Sequence, residues 1–439
     1  MAFVAPPTVR LDLDYVRQQF PALAGDWTFF DNAGGSQVAR PVGDRITDFL
    51  YGSNVQLGAS YGVSQTATER VAAAHQGLAT LINAPDPQTV VLGSSTSALF
   101  RILAHCLGQT LQPGDEVVVT NCDHEANISP WVDWQGLGIT VKVWTLNPET
   151  LTLDLADLAD LLTPRTRLVA VTHVSNVLGT INPIRAIADL AHHNGSLICV
   201  DGVAYAPHRR VDVQALDVDF YAFSLYKTYG PHQALLYGRR ELLEALPGFN
   251  HYFITSVPYK FQPGNVNFEL AYGSLGILDY LTALAAHHGG GLDGAVPEPP
   301  ASDLTTSDLT TSDLTTQDPG TQLRQAFALI RDHETALGDR LLTYLRQHPA
   351  VAIIGCPDAH PDHRVPTISF VVAGRTSAAI PPRIDPHHIG IRYGDFYAVR
   401  LIEDLGLALQ DGVVRVSMVH YNTLEECDRL IACLDAVLA

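Results

Sequence analysis

A lysine and an aspartate set the terms for this chain. Lys227 stands in Val218-Asp-Phe-Tyr-Ala-Phe-Ser-Leu-Tyr-Lys227-Thr-Tyr-Gly-Pro, and Val200-Asp201-Gly202 lies upstream. Two apolar runs read as strands, and each ends on a polar group. The first stops at Asp201, the second at Ser224 just before Lys227. An amine that forms a Schiff base, with a carboxylate that keeps a pyridine nitrogen protonated, suits pyridoxal phosphate. A lone lysine after a strand is most often a solvated surface group, so the pair carries the argument.

Three further motifs follow predicted strands. Gly93-Ser94-Ser95-Thr96-Ser97 opens a helix, where small residues let backbone N–H groups approach a phosphate. The same letters also make an ordinary helix cap. His124, in Asp123-His124-Glu125-Ala-Asn-Ile, offers an imidazole that stacks on a flat ring and moves protons near neutral pH. It is one of 18 histidines, and alone it reads as a loop residue. Asn176, in His173-Val-Ser-Asn176-Val-Leu-Gly-Thr180, can donate to a phenolic oxygen, although asparagine at a strand end is commonly a turn residue.

The elements that must position these groups alternate regularly. Thr89–Leu92, Glu116–Thr120, Thr140–Trp144, Leu168–Thr172, Ser196–Val200 and Val218–Phe223 read as strands, with amphipathic segments such as Pro183–His193 between them. Continuous apolar strands with helical crossovers predict an α/β fold with a mostly parallel sheet covered on both faces. Ligands on such sheets bind beyond the carboxyl ends of the strands, where Asp201, Lys227, Asn176 and the Gly93 loop all fall. The rhythm breaks at 288–320, where three Ser-Asp-Leu-Thr-Thr copies span 302–316 and cannot bury a face. Helical pattern resumes from Leu323 to Gln347. Strands are predicted at Val351–Ile354 and Thr367–Val372, and a last amphipathic stretch covers Thr423–Leu438. The expected domains are an N-terminal segment (1–40) lining the site, a large cofactor domain (41–287), a low-complexity insertion (288–320), and a helix with a smaller α+β domain (321–439).

Composition bounds the function. The 439 residues are 46% hydrophobic and 17% charged, as expected for a globular enzyme. A net charge of −19 without a basic run disfavours nucleic acid and anionic membranes as partners. No apolar stretch reaches membrane-spanning length, and no signal-peptide pattern opens the chain, so a cytoplasmic protein is expected. The six cysteines form no C-x-x-C pair, and no metal site is predicted.

Taken together, the motifs resemble the class V aminotransferase group of fold-type I pyridoxal-phosphate enzymes, most closely the cysteine desulfurases. Asp31-Asn-Ala-Gly-Gly-Ser-Gln37, His124 with Ala126-Asn-Ile, the run His173–Thr180, and Asp212–Phe220 before Ser224-x-x-Lys227 match in order and spacing. The resemblance implies a mostly parallel, seven-stranded sheet with a smaller C-terminal domain. It makes Lys227 the Schiff-base lysine, pairs Asp201 with the pyridine nitrogen, stacks His124 on the ring and sets Asn176 beside its oxygen. Ser95, Thr96 and Ser224 would hold the phosphate, and Tyr226 adds a hydroxyl to it. Arg415 would grip the substrate carboxylate, with Asn32 and Arg392 on the same substrate side. Asn265 would reach the phosphate of a partner subunit, which implies a homodimer with shared active sites.

The chain departs from the desulfurases at Gly390-Ile-Arg392-Tyr-Gly394-Asp395-Phe396-Tyr397-Ala398, where tyrosine stands in place of the catalytic cysteine. A phenol with a pKa near about 10 cannot form a persulfide. Cys122 is a remote substitute that reads better as a structural thiol. Tyr397 reads as a packing aromatic, with a proton donor or pocket cover as the sharper alternative. Asp201-Gly-Val-Ala204 also lacks the family's glutamine, and Tyr226 replaces its histidine. The expected reaction is C–S cleavage of cysteine or a related amino acid by β-elimination. Epimerisation, racemisation, transamination and a non-catalytic scaffold role are the alternatives.

Overall fold

The computed structural model describes residues 10–289 and 318–438. The Ser-Asp-Leu-Thr-Thr repeats lie outside the described residues. A seven-stranded sheet forms the centre: β1 (Val90–Gly93), β2 (Glu116–Thr120), β3 (Thr140–Trp144), β4 (Thr166–Thr172), β5 (Leu197–Asp201), β6 (Phe220–Ser224) and β7 (Ala234–Gly238), in the order β1-β7-β6-β5-β4-β2-β3. All neighbours pair in parallel except β7, which runs antiparallel to both β1 and β6. The sequence reading anticipates six of these strands and misses β7. Its Ala-Leu-Leu-Tyr-Gly lacks the β-branched residues that mark the others, and only pairing on both sides fixes it as a strand.

Alternation along the strands divides the core between two faces. Val118, Val169, Val171, Ile198 and Val200 pack into one core, whereas Val117, Val119, Leu168, Ala170 and Cys199 pack into the other. Each buried valine or isoleucine contributes about 1.5–3 kcal/mol of transfer free energy. Helices α1 (Arg40–Gly52), α2 (Gly62–Leu81), α3 (Thr96–Gly108) and α4 (Ile184–His193) flank the sheet. The long α5 (Phe268–His288) packs against α1, α2 and α6 (Pro319–Gln347).

The smaller C-terminal domain carries an antiparallel sheet of β8 (Val351–Ile354), β9 (Thr367–Val372), β10 (Arg392–Gly394) and β11 (Val413–Ser417), ordered β10-β11-β9-β8. Ile368, Phe370, Val414 and Val416 pack with Leu337 and Leu341 of α6, and with Leu430 and Leu434 of α7 (Leu424–Leu438). The other face of β11 therefore presents Val413, Arg415 and Ser417 toward the large sheet. Residues 28–31 tie the two parts together: Thr28 and Phe29 pair with Ile389 and Gly390, and Asp31 bridges to Ser417.

Candidate active site

Strand register assembles the site. Gly93 and Ser224 both pair with Ala234, so the β1 loop and the end of β6 meet across β7. Thr96 Oγ1 lies 2.7 Å from Ser224 Oγ, and Ser95 caps α3 by accepting from Ala98 N at 3.1 Å. Thr172 pairs with Asp201, and Asp201 with Ala222, which aligns the ends of β4, β5 and β6. A cleft of about 490 Å³ opens beyond these ends. Ser95, Thr96, His124, Asn176, Asp201, Ser224, Tyr226 and Lys227 line it, with Thr172, Val174, Val203 and Ala204 among their neighbours.

Lys227 sits in a short 3-10 turn after β6 and lines the cleft. Burial, with Arg415 nearby, pulls its amine down to about 8. An amine so placed is far closer to its nucleophilic neutral form at pH 7 than an exposed lysine. Asp201 is buried, and its Oδ1 accepts Val203 N–H at 2.9 Å. Desolvation raises it to about 6, against that hydrogen bond and Lys227. A cationic N–H in the cleft would reverse this penalty.

His124 Nδ1 accepts Ala126 N–H at 3.0 Å, which fixes the ring and leaves Nε2 as the N–H. Burial and the positive Lys227 push it down to about 4, so it is neutral. Asn176 donates Nδ2 to Phe396 O at 2.8 Å, and its Oδ1 is buried with no partner among the described residues. The sequence reading has this amide donating into the cleft; one of its two N–H groups is taken by Phe396, and the residue lines the cleft.

Arg415 is 2% exposed. Its Nη1 donates to Asn176 O at 3.0 Å, its Nη2 meets Asp31 Oδ1 at 3.1 Å, and its Nε is unpartnered. Phe396 covers the guanidinium, with its centroid 3.7 Å from Cζ. Arg392 pairs across the strands with Arg415 and reaches Asp31 Oδ2 at 3.5 Å. Tyr397, 68% exposed, lies 5.2 Å from the His124 ring, and its carbonyl accepts Glu125 N–H at 2.7 Å.

Five predicted residues do not line this cleft: Arg392, Arg415 and Tyr397, which flank it, and Asn32 and Asn265. Asn32 is buried with its amide facing Phe29 O, Ser417 O and Asn422 Oδ1, while its own Oδ1 accepts from Tyr421. It braces residues 28–32 against β11. Asn265 is exposed, and among the described residues its side chain meets Gln56 Oε1, at 3.3 Å. Sequence reasoning misses Asp31 and Phe396, which reach Arg415 only through tertiary packing. It also misses Asp123, whose carboxyl accepts from Thr120 Oγ1, Asn127 Nδ2 and Thr172 N at 2.5, 2.6 and 3.0 Å. A buried acid directly before His124 was the available signal.

The class V aminotransferase family model matches residues 28–289 and 323–430. The chain belongs to the class V aminotransferase family. Enzymes of this family use pyridoxal 5'-phosphate, and the site fits that group: a lysine in the cleft, a buried acid with spare acceptor capacity, and hydroxyls at a helix start. Among curated relatives, the aminotransferase-like protein FGM3 of Gibberella zeae is 43% identical, over 97% of this chain and 98% of that protein. The cysteine desulfurase-like protein ustD of Aspergillus flavus is 35% identical, over 98% and 91%. The solved cysteine desulfurase CsdA of Escherichia coli superposes with a TM-score of 0.78 at 28% identity, over 97% and 98%. Among the described residues, no helix is long and apolar enough to cross a membrane.

Proposed function

We propose that this chain cleaves the C–S bond of cysteine or a related amino acid by β-elimination, without a persulfide-forming cysteine. Pyridoxal phosphate, when bound, supplies the electron sink that makes the α-proton labile. Lys227 would hold the cofactor and then act as the base, a role its depressed amine suits. Asp201 would hold the ring nitrogen protonated, His124 would lie against the ring as a neutral imidazole, and Ser95, Thr96, Ser224 and Tyr226 would hold the phosphate. Arg415 would hold the substrate carboxylate, with Arg392 beside it. Elimination is balanced: a thiol (or sulfide) leaves the β-carbon, the α-proton leaves, and hydrolysis of the resulting enamine gives pyruvate and ammonia.

The observation carrying the elimination reading is the 390–398 loop, which holds Tyr397 and no thiol. Among the described residues no cysteine lines the cleft, and four of the six are buried. Burial raises Cys106 to about 11 and both Cys122 and Cys427 to about 12, and it raises Cys199 as well. The name of the Gibberella zeae relative favours a second reading, transamination. Purified protein given L-cysteine, with absorbance read and products assayed, separates these outcomes. A band near about 420 nm establishes the lysine–cofactor bond. Sulfide with pyruvate and ammonia supports elimination. Sulfide with alanine revives a desulfurase, and amino transfer to a keto acid supports transamination.

We also infer a cytoplasmic homodimer with shared sites. Asn265 is exposed and outside the cleft of its own chain, bonded to Gln56 in the segment between α1 and α2, at whose ends Tyr51 and Tyr61 are also exposed. Sedimentation should give twice the chain mass, and Asn265→Ala should speed cofactor loss on dialysis without lowering that mass. A monomer that retains cofactor would count against the shared site.

A further inference from the structure

Arg392 and Arg415 face each other across β10 and β11 as a directly opposed cation pair. Like charges in that register repel, so the pair needs an anion. Asp31 supplies it, with Oδ1 3.1 Å from Arg415 Nη2 and Oδ2 3.5 Å from Arg392 Nη1. Its backbone is pinned to the same sheet, bridging to Ser417 two residues beyond Arg415. Even so, Arg415 is not saturated: its buried Nε has no partner among the described residues. Two guanidiniums and one carboxylate leave a single positive charge.

We propose that Asp31 is a specificity-determining resident carboxylate, which limits the arginine pair to one incoming carboxylate and weakens how tightly that one is held. The inference rests on the reading of Arg415 as the carboxylate clamp. Asp31 occupies a position that a second substrate carboxylate would otherwise take, so the site favours monocarboxylate over dicarboxylate amino acids. It competes for the same donors, so substrate is released more readily. The carboxylate's charge also favours the protonated form of Lys227, while both arginines oppose it.

The test uses holoenzyme and L-alanine, which has no β-leaving group, with binding read from the change in lysine–cofactor absorbance. Asp31→Asn keeps the shape and removes the charge. L-Alanine should bind about three- to tenfold more tightly, the modest size reflecting partial exposure of Asp31. Succinate should become a measurable competitor. The midpoint of the absorbance pH titration should also move to lower pH, because an anion favouring the protonated nitrogen is gone. A carboxylate that only props up Arg415 would give weaker L-alanine binding and an unmoved midpoint, and either weaker or unchanged binding overturns the proposal. Asp31→Ser provides the same readouts where the Asn variant does not fold. Arg415→Lys tests the clamp by itself: unimpaired L-alanine binding there sinks the clamp reading, whatever Asp31→Asn does.

Discussion

At the scale of single residues, the site is a set of groups whose pKa values burial moves toward neutrality or past it. Lys227 lies near 8 because burial disfavours its ammonium. The rate at which cofactor-free protein takes up pyridoxal phosphate, followed by absorbance, should therefore rise with pH through about 8. A rise delayed to about 10.5, the value of an exposed lysine, would show the amine unperturbed. Asp201→Ala should lower turnover at least about a hundredfold and release cofactor on dialysis, since no other carboxylate lines the cleft. Unchanged turnover would defeat the role assigned to Asp201. Both residues were legible in the sequence because strand ends announce them. Asp31 and Phe396 were not, because their contact with Arg415 joins three segments distant in the chain.

At the scale of elements, the strand ends leave little slack. Gly202 follows Asp201 directly, and a Cβ there would collide with the Tyr221 ring on the neighbouring strand. That ring is itself fixed, its hydroxyl 2.9 Å from His173 Nδ1. His173 in turn stacks on Tyr205 at 3.5 Å. Gly202→Ala should cost about 1–3 kcal/mol by thermal melting and loosen Asp201, whose partner Val203 N–H lies one residue on. A neutral result would mean that Tyr221 moves freely. The loop opposite is strained rather than crowded. Phe396 and Tyr397 both take left-handed conformations, at φ 53° and 61°. Non-glycine residues pay about 1 kcal/mol each for this, and Asn176 and Glu125 hold their carbonyls. Periodicity predicts where strands and helices run, so six of seven central strands were legible. It carries no signal for a loop whose shape is set by partners in the segments after β2 and β4, nor for β7, which depends on strands at both sides.

At the scale of the whole molecule, the buried titratable groups make an acid-stability profile that can be worked out by sign. His75, His124, His173 and His420 are all lowered by burial, His124 to about 4 and His173 to about 3. Unfolded histidine binds its proton near about 6.5. Below that, the unfolded chain takes up protons that the folded one refuses, so stability falls as pH falls through 6.5 toward those lower values. Asp123 and Asp201 act oppositely. Burial raises them to about 7 and about 6, so in the cofactor-free protein the folded state protonates first and gains stability as pH falls toward about 4. Four histidines oppose two aspartates, so stability falls on balance as pH drops below about 6.5. The melting temperature of the cofactor-free protein should fall with pH over that range. Asp123→Asn deletes one opposing group and should steepen the slope below pH 7. An unchanged slope in that variant would mean that Asp123 stays ionised in the fold, kept so by its bonds from Thr120, Asn127 and Thr172 despite full burial.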